Sequence, residues 1–296
     1  MANLYKLQDG NVRKTWFLLI TFFIVVMGLG WAASWYFESP LILYGAVAFA
    51  ILMNVGSYWF SDKIVLKMSG ANPVKKDEHR ELWNIVENLS ITAGLPMPKL
   101  YIINDPAPNA FATGRDEKHA VVAVTSGLLS MLERNELEGV IAHELSHIKN
   151  RDMLVMTVVV VLVGFVVLLS DFFIRMSFFG GGDRDNKLGI VMIIAGVALA
   201  ILSPVIAKLI QLAISRKREY LADASGALLT RYPEGLASAL EKISSYNAPM
   251  KRANHATAHL FISNPFGGKN MKGFVNKLFL THPPAQERIA ALRGMQ

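Results

Sequence analysis

The sequence has no cysteine. That excludes disulfides and sulfur-ligated metal centres, so any metal must be held by histidine and carboxylate. It does not fix the compartment. Charge is also scarce. Only 18% of the 296 residues are charged, 52% are hydrophobic, and the mean hydropathy is +0.34. An ordinary soluble enzyme is less apolar, and the balance points to membrane segments. No nucleic-acid recognition motif is visible, so the net charge of +7 is not read as a nucleic-acid footprint. The basic residues cluster beside apolar runs, where anionic headgroups and topology account for them.

Two runs lack charge entirely. Thr15 to Phe37 is long enough to span a bilayer and too long for the apolar core of a cleaved signal, so it reads as an anchor. Trp16 near one end and Trp31, Trp35 and Tyr36 near the other suit the two interfaces. Pro40 to Ser61 is the second run. The turn between them has no lysine or arginine. Lys6, Arg13 and Lys14 precede the pair; Lys63, Lys67, Lys75, Lys76 and Arg80 follow it. Positive-inside reasoning places the N-terminus and everything after Asp62 in the cytoplasm. Residues 1–61 are therefore expected to form a transmembrane hairpin.

What is present is Val140-Ile141-Ala142-His143-Glu144-Leu145-Ser146-His147-Ile148, containing H-E-x-x-H. On a helix, His143 and His147 share a face about one turn apart and can hold one zinc ion. Glu144 reaches a water beside that ion without binding the metal. This is equipment for metal-assisted peptide hydrolysis. The helix is supported by Asn135 as N-cap, by Glu136 and Glu138 in the first turn, and by a stripe of Leu137, Val140, Ile141, Leu145 and Ile148.

Around it, Asp77 to Ala93 reads as an amphipathic helix with Leu82, Ile85, Val86 and Leu89 buried, ended by Gly94 and Pro96. Lys99 to Ile103 reads as a strand. Residues 109–114 and 119–125 read as two strands joined by a charged turn. Asn109, Ala110, Phe111 and Ala112 are either ordinary sheet or an edge to which an extended substrate adds as a further strand. Met153 to Ser170 and Leu188 to Ala207 are two more apolar runs, the first only marginally long, so residues 153–214 either cross the bilayer or dip partly into it. Tyr232 to Ser245 and Pro284 to Arg293 read as helices. Asn247 to Lys277 reads as a loop region that covers the cleft or is mobile.

A catalytic zinc site needs a third protein ligand. Glu219 and Asp223 lie four apart on an expected helix and share a face. Glu219 is assigned to the metal and Asp223 to a partner of a ligand imidazole's free N–H. His255, His259 and His282 are competing ligands in less regular sequence; His79 and His119 read as surface residues.

These motifs, in this order, resemble HtpX-type membrane zinc metalloproteases, in the peptidase family that also holds the eukaryotic CAAX prenyl proteases. The resemblance runs through the N-terminal hairpin, residues 109–114, His143-Glu144-Leu145-Ser146-His147, the second apolar pair, Arg218-Glu219-Tyr220-Leu221-Ala222-Asp223, and Thr281-His282-Pro283-Pro284 with Arg288-Ile289. It implies one Zn2+ per chain, a bacterial inner-membrane location, degradation of misfolded or damaged membrane proteins, and self-cleavage. It supports Glu219 as ligand and 109–114 as the substrate edge. By its place before Pro283-Pro284, His282 reads as a plain cap-region residue at a helix entry; the resemblance implies instead that it stabilises the oxyanion, with Arg288 nearby in a supporting role.

The expected architecture is an α-rich membrane protein with four hydrophobic helical segments and a cytoplasmic zincin-like α+β catalytic domain carrying a small β-sheet. Residues 62–152 and 215–296 form that domain, split by the second hairpin. Two rivals are a metal-binding membrane scaffold or transporter, which has no need of Glu144, and a site-2-type intramembrane protease. The latter places its motif within a span, whereas Glu133, Arg134, Glu136 and Glu138 precede this one. His/His/Glu sites also take cobalt or manganese.

Overall fold

The two uncharged runs become one antiparallel helical hairpin. In this computed structural model, residues 4–36, 38–162, 164, 216–254, 257–267 and 283–295 are described. Helix α1 is Leu4–Tyr36 and α2 is Pro40–Ser69. Pro40 opens α2, where its missing N–H leaves nothing unpaired, and Gly70 closes it in the left-handed conformation at φ 67°. Trp16 stacks on Tyr58 at 6.5 Å, and Asn54 Nδ2 donates to the Leu19 carbonyl at 3.3 Å, pairing the start of one helix with the end of the other. Both helices are long and apolar enough to cross a membrane. Their outer faces display Trp31, Trp35, Leu41 and Leu52.

The sheet lies beyond the end of α2. Its strands are β1 (Ala71–Pro73), β2 (Lys99–Ile103), β3 (Ala110–Thr113) and β4 (Val121–Thr125), in the order β1-β2-β4-β3. β2 and β4 run parallel; the other two pairings are antiparallel. The expected strands are all present. β1 was not expected, since three residues ending in proline carry no alternation and survive only at an edge.

Both faces of the sheet are covered, which is why β3 and β4 are buried throughout. On one face, Leu100, Ala110, Ala112, Val122 and Val124 meet α3 (Arg80–Ala93) and α5 (Arg134–Lys149), with short α4 (Ser126–Met131) between. α3 buries Leu82, Ile85, Val86 and Leu89 as expected and ends at Gly94. On the other face, Phe111, Val121 and Ala123 pack against Val65 of α2 and against α6, Asp152–Leu162. α6 opens the third apolar run, and Met153 to Leu162 are all buried inside the protein. Most of the rest of that run and all of the fourth fall outside the described residues.

Three more helices complete the fold: α7 (Arg216–Thr230), α8 (Pro233–Ser245) and α9 (Ala285–Arg293). α7 and α8 both lie against α5. The approach is close because α5 and α7 carry glycine at the crossings. A Cβ on Gly139 would meet the Leu236 backbone at 2.6 Å, and one on Gly226 would meet the His143 backbone at 3.0 Å.

The start of α5 differs from expectation. Glu133, not Asn135, is the N-cap, and its backbone N–H donates to Glu136 Oε2 at 2.8 Å in a capping box. Glu136 is buried and also accepts from Lys242 Nζ at 2.8 Å, so it ties α5 to α8 rather than merely facing the helix dipole.

Candidate active site

α5 presents His143, Glu144 and His147 toward α7, and all three are buried. α7 returns Glu219 to them. His143 Nε2 and His147 Nε2 are 3.2 Å apart; Glu219 lies 3.9 Å from the first and 3.5 Å from the second. Tetrahedral coordination at about 2.0–2.1 Å places ligand atoms roughly 3.3 Å apart, so this trio is spaced for one small ion. Among the described residues it is the cluster fit to hold a metal.

Each imidazole is braced from behind. His143 Nδ1 lies 2.9 Å from Asp223 Oδ1, in a close contact that is not in line with the N–H. His147 Nδ1 lies 3.2 Å from Asp152 Oδ2. Arg288 grips Asp223 with two nitrogens, Nε to Oδ2 at 2.8 Å and Nη2 to Oδ1 at 2.6 Å. Its Nη1 lies 3.9 Å from Glu219 Oε2. Arg218 Nη1 lies 3.3 Å from Asp152 Oδ1. Such carboxylates orient metal-binding imidazoles and fix which ring nitrogen is free to bind.

Charge balance tells the same story. Glu144, Asp152, Glu219 and Asp223 are buried carboxylates, and Arg218 and Arg288 are the buried guanidiniums beside them. Two negative charges remain over, which a divalent cation neutralises. Burial would lower the pKa of His147, but Asp152, Glu219 and Glu144 outweigh it and push the pKa up to about 9. Burial would raise Asp223, but the Arg288 charge and the His143 contact hold it down at about 2.

The structure thus brings together His143, Glu144, His147, Glu219, Asp223 and Arg288. His259 is buried elsewhere, its Nε2 3.3 Å from the Met156 carbonyl, and His119 is exposed and paired with Asp116. His79 is the N-cap of α3. His255 and His282 lie outside the described residues. Sequence reasoning missed Asp152, Arg218 and Asn11, whose Nδ2 donates to Asp152 Oδ1 at 2.7 Å.

β3 is the sheet edge beyond β4. Its near end is engaged by the chain itself: Ile262 N–H donates to the Ala110 carbonyl at 2.9 Å, and the Asn109 amide bonds both N–H and C=O of Ser263. Residues 257–262 of the expected loop region are buried against the sheet, with Ser263 less so. The Thr125 N–H of β4 donates to the Asn109 carbonyl at 2.9 Å, so by alternation Ala110 and Ala112 turn their backbone groups outward.

The profile described as Peptidase family M48 matches residues 76–296. The chain belongs to this family. The "Protease HtpX homolog" of Caldanaerobacter subterraneus subsp. tengcongensis is 48% identical over 99% of this chain and 98% of its own length. That of Dictyoglomus thermophilum is 50% identical, covering 98% and 94%. Among solved structures, the crystal structure of Ste24p from S. mikatae shares the fold at a TM-score of 0.50 and 18% identity, over 97% of this chain and 67% of that one. With its two apolar helices, this M48 peptidase is a membrane metalloprotease.

Proposed function

We propose that the chain is a gluzincin-type zinc endopeptidase, His143 and His147 of H-E-x-x-H and Glu219 holding the metal, in a zincin-like domain on the cytoplasmic face of the bacterial inner membrane. The observation that carries it is the trio of ligand atoms within 4.8 Å, each imidazole backed by a buried carboxylate. A zinc ion there supplies Lewis-acid activation of a water and of the scissile carbonyl. Glu144 is the base that takes the water's proton and returns it to the leaving amine. Its place beside His143 on α5, buried with the metal trio, suits it to that exchange. Asp152 and Asp223 keep the imidazoles oriented, and Arg288 holds Asp223 and faces Glu219. His282 is proposed at the oxyanion.

The substrate backbone pairs with the outward groups of Ala112, beyond the stretch of edge engaged by Ile262. Main-chain pairing is common to all peptides, which suits misfolded membrane proteins of varied sequence and self-cleavage. Two spans by length and composition, the second apolar pair proposed as two more, and the positive flanks support the multi-pass arrangement.

The test uses the full chain purified in detergent and assayed on casein. The reading predicts about one zinc per chain, cleavage abolished by a chelator and restored by zinc, and loss of both metal and cleavage in Glu219→Ala. Full zinc content in Glu219→Ala would contradict the ligand assignment. Zinc without cleavage of any unfolded or membrane protein would favour a metal-binding scaffold.

A further inference from the structure

Asn11 stands four residues before the first uncharged run, near the start of α1, and is 4% exposed. A buried amide must be satisfied by partners, and this one uses three of its four hydrogen-bonding capacities. Its Nδ2 donates to Asp152 Oδ1 at 2.7 Å and to the Asn150 carbonyl at 2.9 Å. Its Oδ1 accepts from Arg218 Nη1 at 3.1 Å. The amide therefore fits in one orientation only. A flip would set nitrogen against the guanidinium and oxygen against the carboxylate.

The other oxygen of Asp152, Oδ2, is the one beside His147 Nδ1. The two ligand imidazoles thus have parallel supports of different origin. His143 rests on Asp223, which Arg288 holds from α9. His147 rests on Asp152, the first residue of α6, which follows the left-handed turn at Arg151 (φ 56°). Asp152 is gripped by Arg218 of α7 and by Asn11 of the membrane helix.

We infer that Asn11 is a positioning residue of the metal site: the first membrane helix reaches through Asn11 and Asp152 to orient His147. This rests on the metal site proposed above. It makes the anchor helix part of the site rather than a tether. Asn11 touches neither substrate nor metal, and acts through Asp152.

A merely structural role would be to dock α1 on the start of α6. The two are separated by comparing Asn11→Leu, which keeps the shape and removes the hydrogen bonds, with Asn54→Leu, which removes the Asn54–Leu19 contact within the same hairpin and lies away from the site. Full-length variants in detergent are measured for zinc dissociation constant by competition with a chelator, and for the visible spectrum of the cobalt-substituted protein. Asn11→Leu is expected to weaken zinc binding by about threefold to tenfold and to alter the cobalt bands, a smaller loss than the about 10- to 100-fold expected on removing Asp152, the direct partner of the histidine. Asn54→Leu is expected to change neither. Adding Asn11→Leu to Asp152→Asn is expected to give little further loss, because the two act in series.

Three results would overturn the inference while leaving the metal site standing: wild-type affinity in Asn11→Leu, equal weakening in Asn54→Leu, or full additivity in the double variant. Wild-type protein that binds no zinc would overturn both the inference and the metal site beneath it.

Discussion

At the scale of the residue, the buried charges make the sharpest predictions. Asp223 is held at about 2, below the ordinary 3.8, so its contribution to stability is whole above pH ~4 and is lost as pH falls toward 2. The difference corresponds to about 2 kcal/mol. Arg288→Met removes the guanidinium and leaves Asp223 buried with too little opposing charge. The expected cost is about 3–5 kcal/mol, read as a lowered melting temperature. His147 gives a second pH dependence, in metal affinity rather than in stability. Metal must displace its proton, which the metal-free site holds up to about 9. Apparent zinc affinity should therefore climb about tenfold per pH unit through neutrality and level off only near pH 9. An unperturbed histidine would level off near 6.5. Zinc titrations from pH 6 to 10 distinguish the two, and Asp152→Asn should bring the plateau to lower pH.

The same scale shows what was legible in the sequence. His143, Glu144 and His147 are adjacent in a motif, and Glu219 and Asp223 share a helical face, so periodicity found them. Asp152 stands five positions after His147, past a left-handed turn at Arg151 that no pattern announces. Its only signal was a lone acid opening an apolar run. Asn11 is 141 positions from Asp152 in sequence, and long-range pairing of that kind leaves no local trace.

At the scale of the element, the site depends on how closely α7 and α8 approach α5. Gly139→Ala drives a methyl group into the Leu236 backbone at 2.6 Å, and backbone cannot swing aside as a flexible side chain can. The expected loss is about 1–3 kcal/mol of stability. Gly226→Ala is subtler, since its 3.0 Å approach is to the backbone of His143 itself. Shifting α7 by a few tenths of an ångström displaces Glu219 from His143 and His147. Zinc affinity should fall with little change in melting temperature of the metal-free protein. Helices and strands were readable because their faces are amphipathic or their ends capped. β1 was not, since Ala71–Pro73 is defined by its partner β2 and not by its own pattern. The cap of α5 was misplaced by two residues because Asn135 is the better intrinsic cap, while Glu133 is selected by the reciprocal bond to Glu136.

At the scale of the whole molecule, the metal site is a junction. α1, α5, α6, α7 and α9 each deliver a residue to it, from Asn11 to Arg288. Binding a cation there links elements far apart in sequence. Chelation should therefore destabilise the protein globally, with zinc at a thousandfold excess over its Kd restoring about 4 kcal/mol. Sequence hydropathy disclosed the hairpin of α1 and α2, but not that α6, as apolar as a span, begins inside the protein. Composition cannot tell lipid from a protein core, since both reward the same side chains.

Hydrolysis turns on Glu144, the one residue at the site that a metal-binding scaffold would not need. The most direct measurement compares wild type with Glu144→Gln in the same detergent, for bound zinc and for casein cleavage. The proposed role of Glu144 predicts equal zinc in both, with cleavage in the variant reduced by several orders of magnitude. Glu144→Gln that holds zinc and cleaves at the wild-type rate would contradict it.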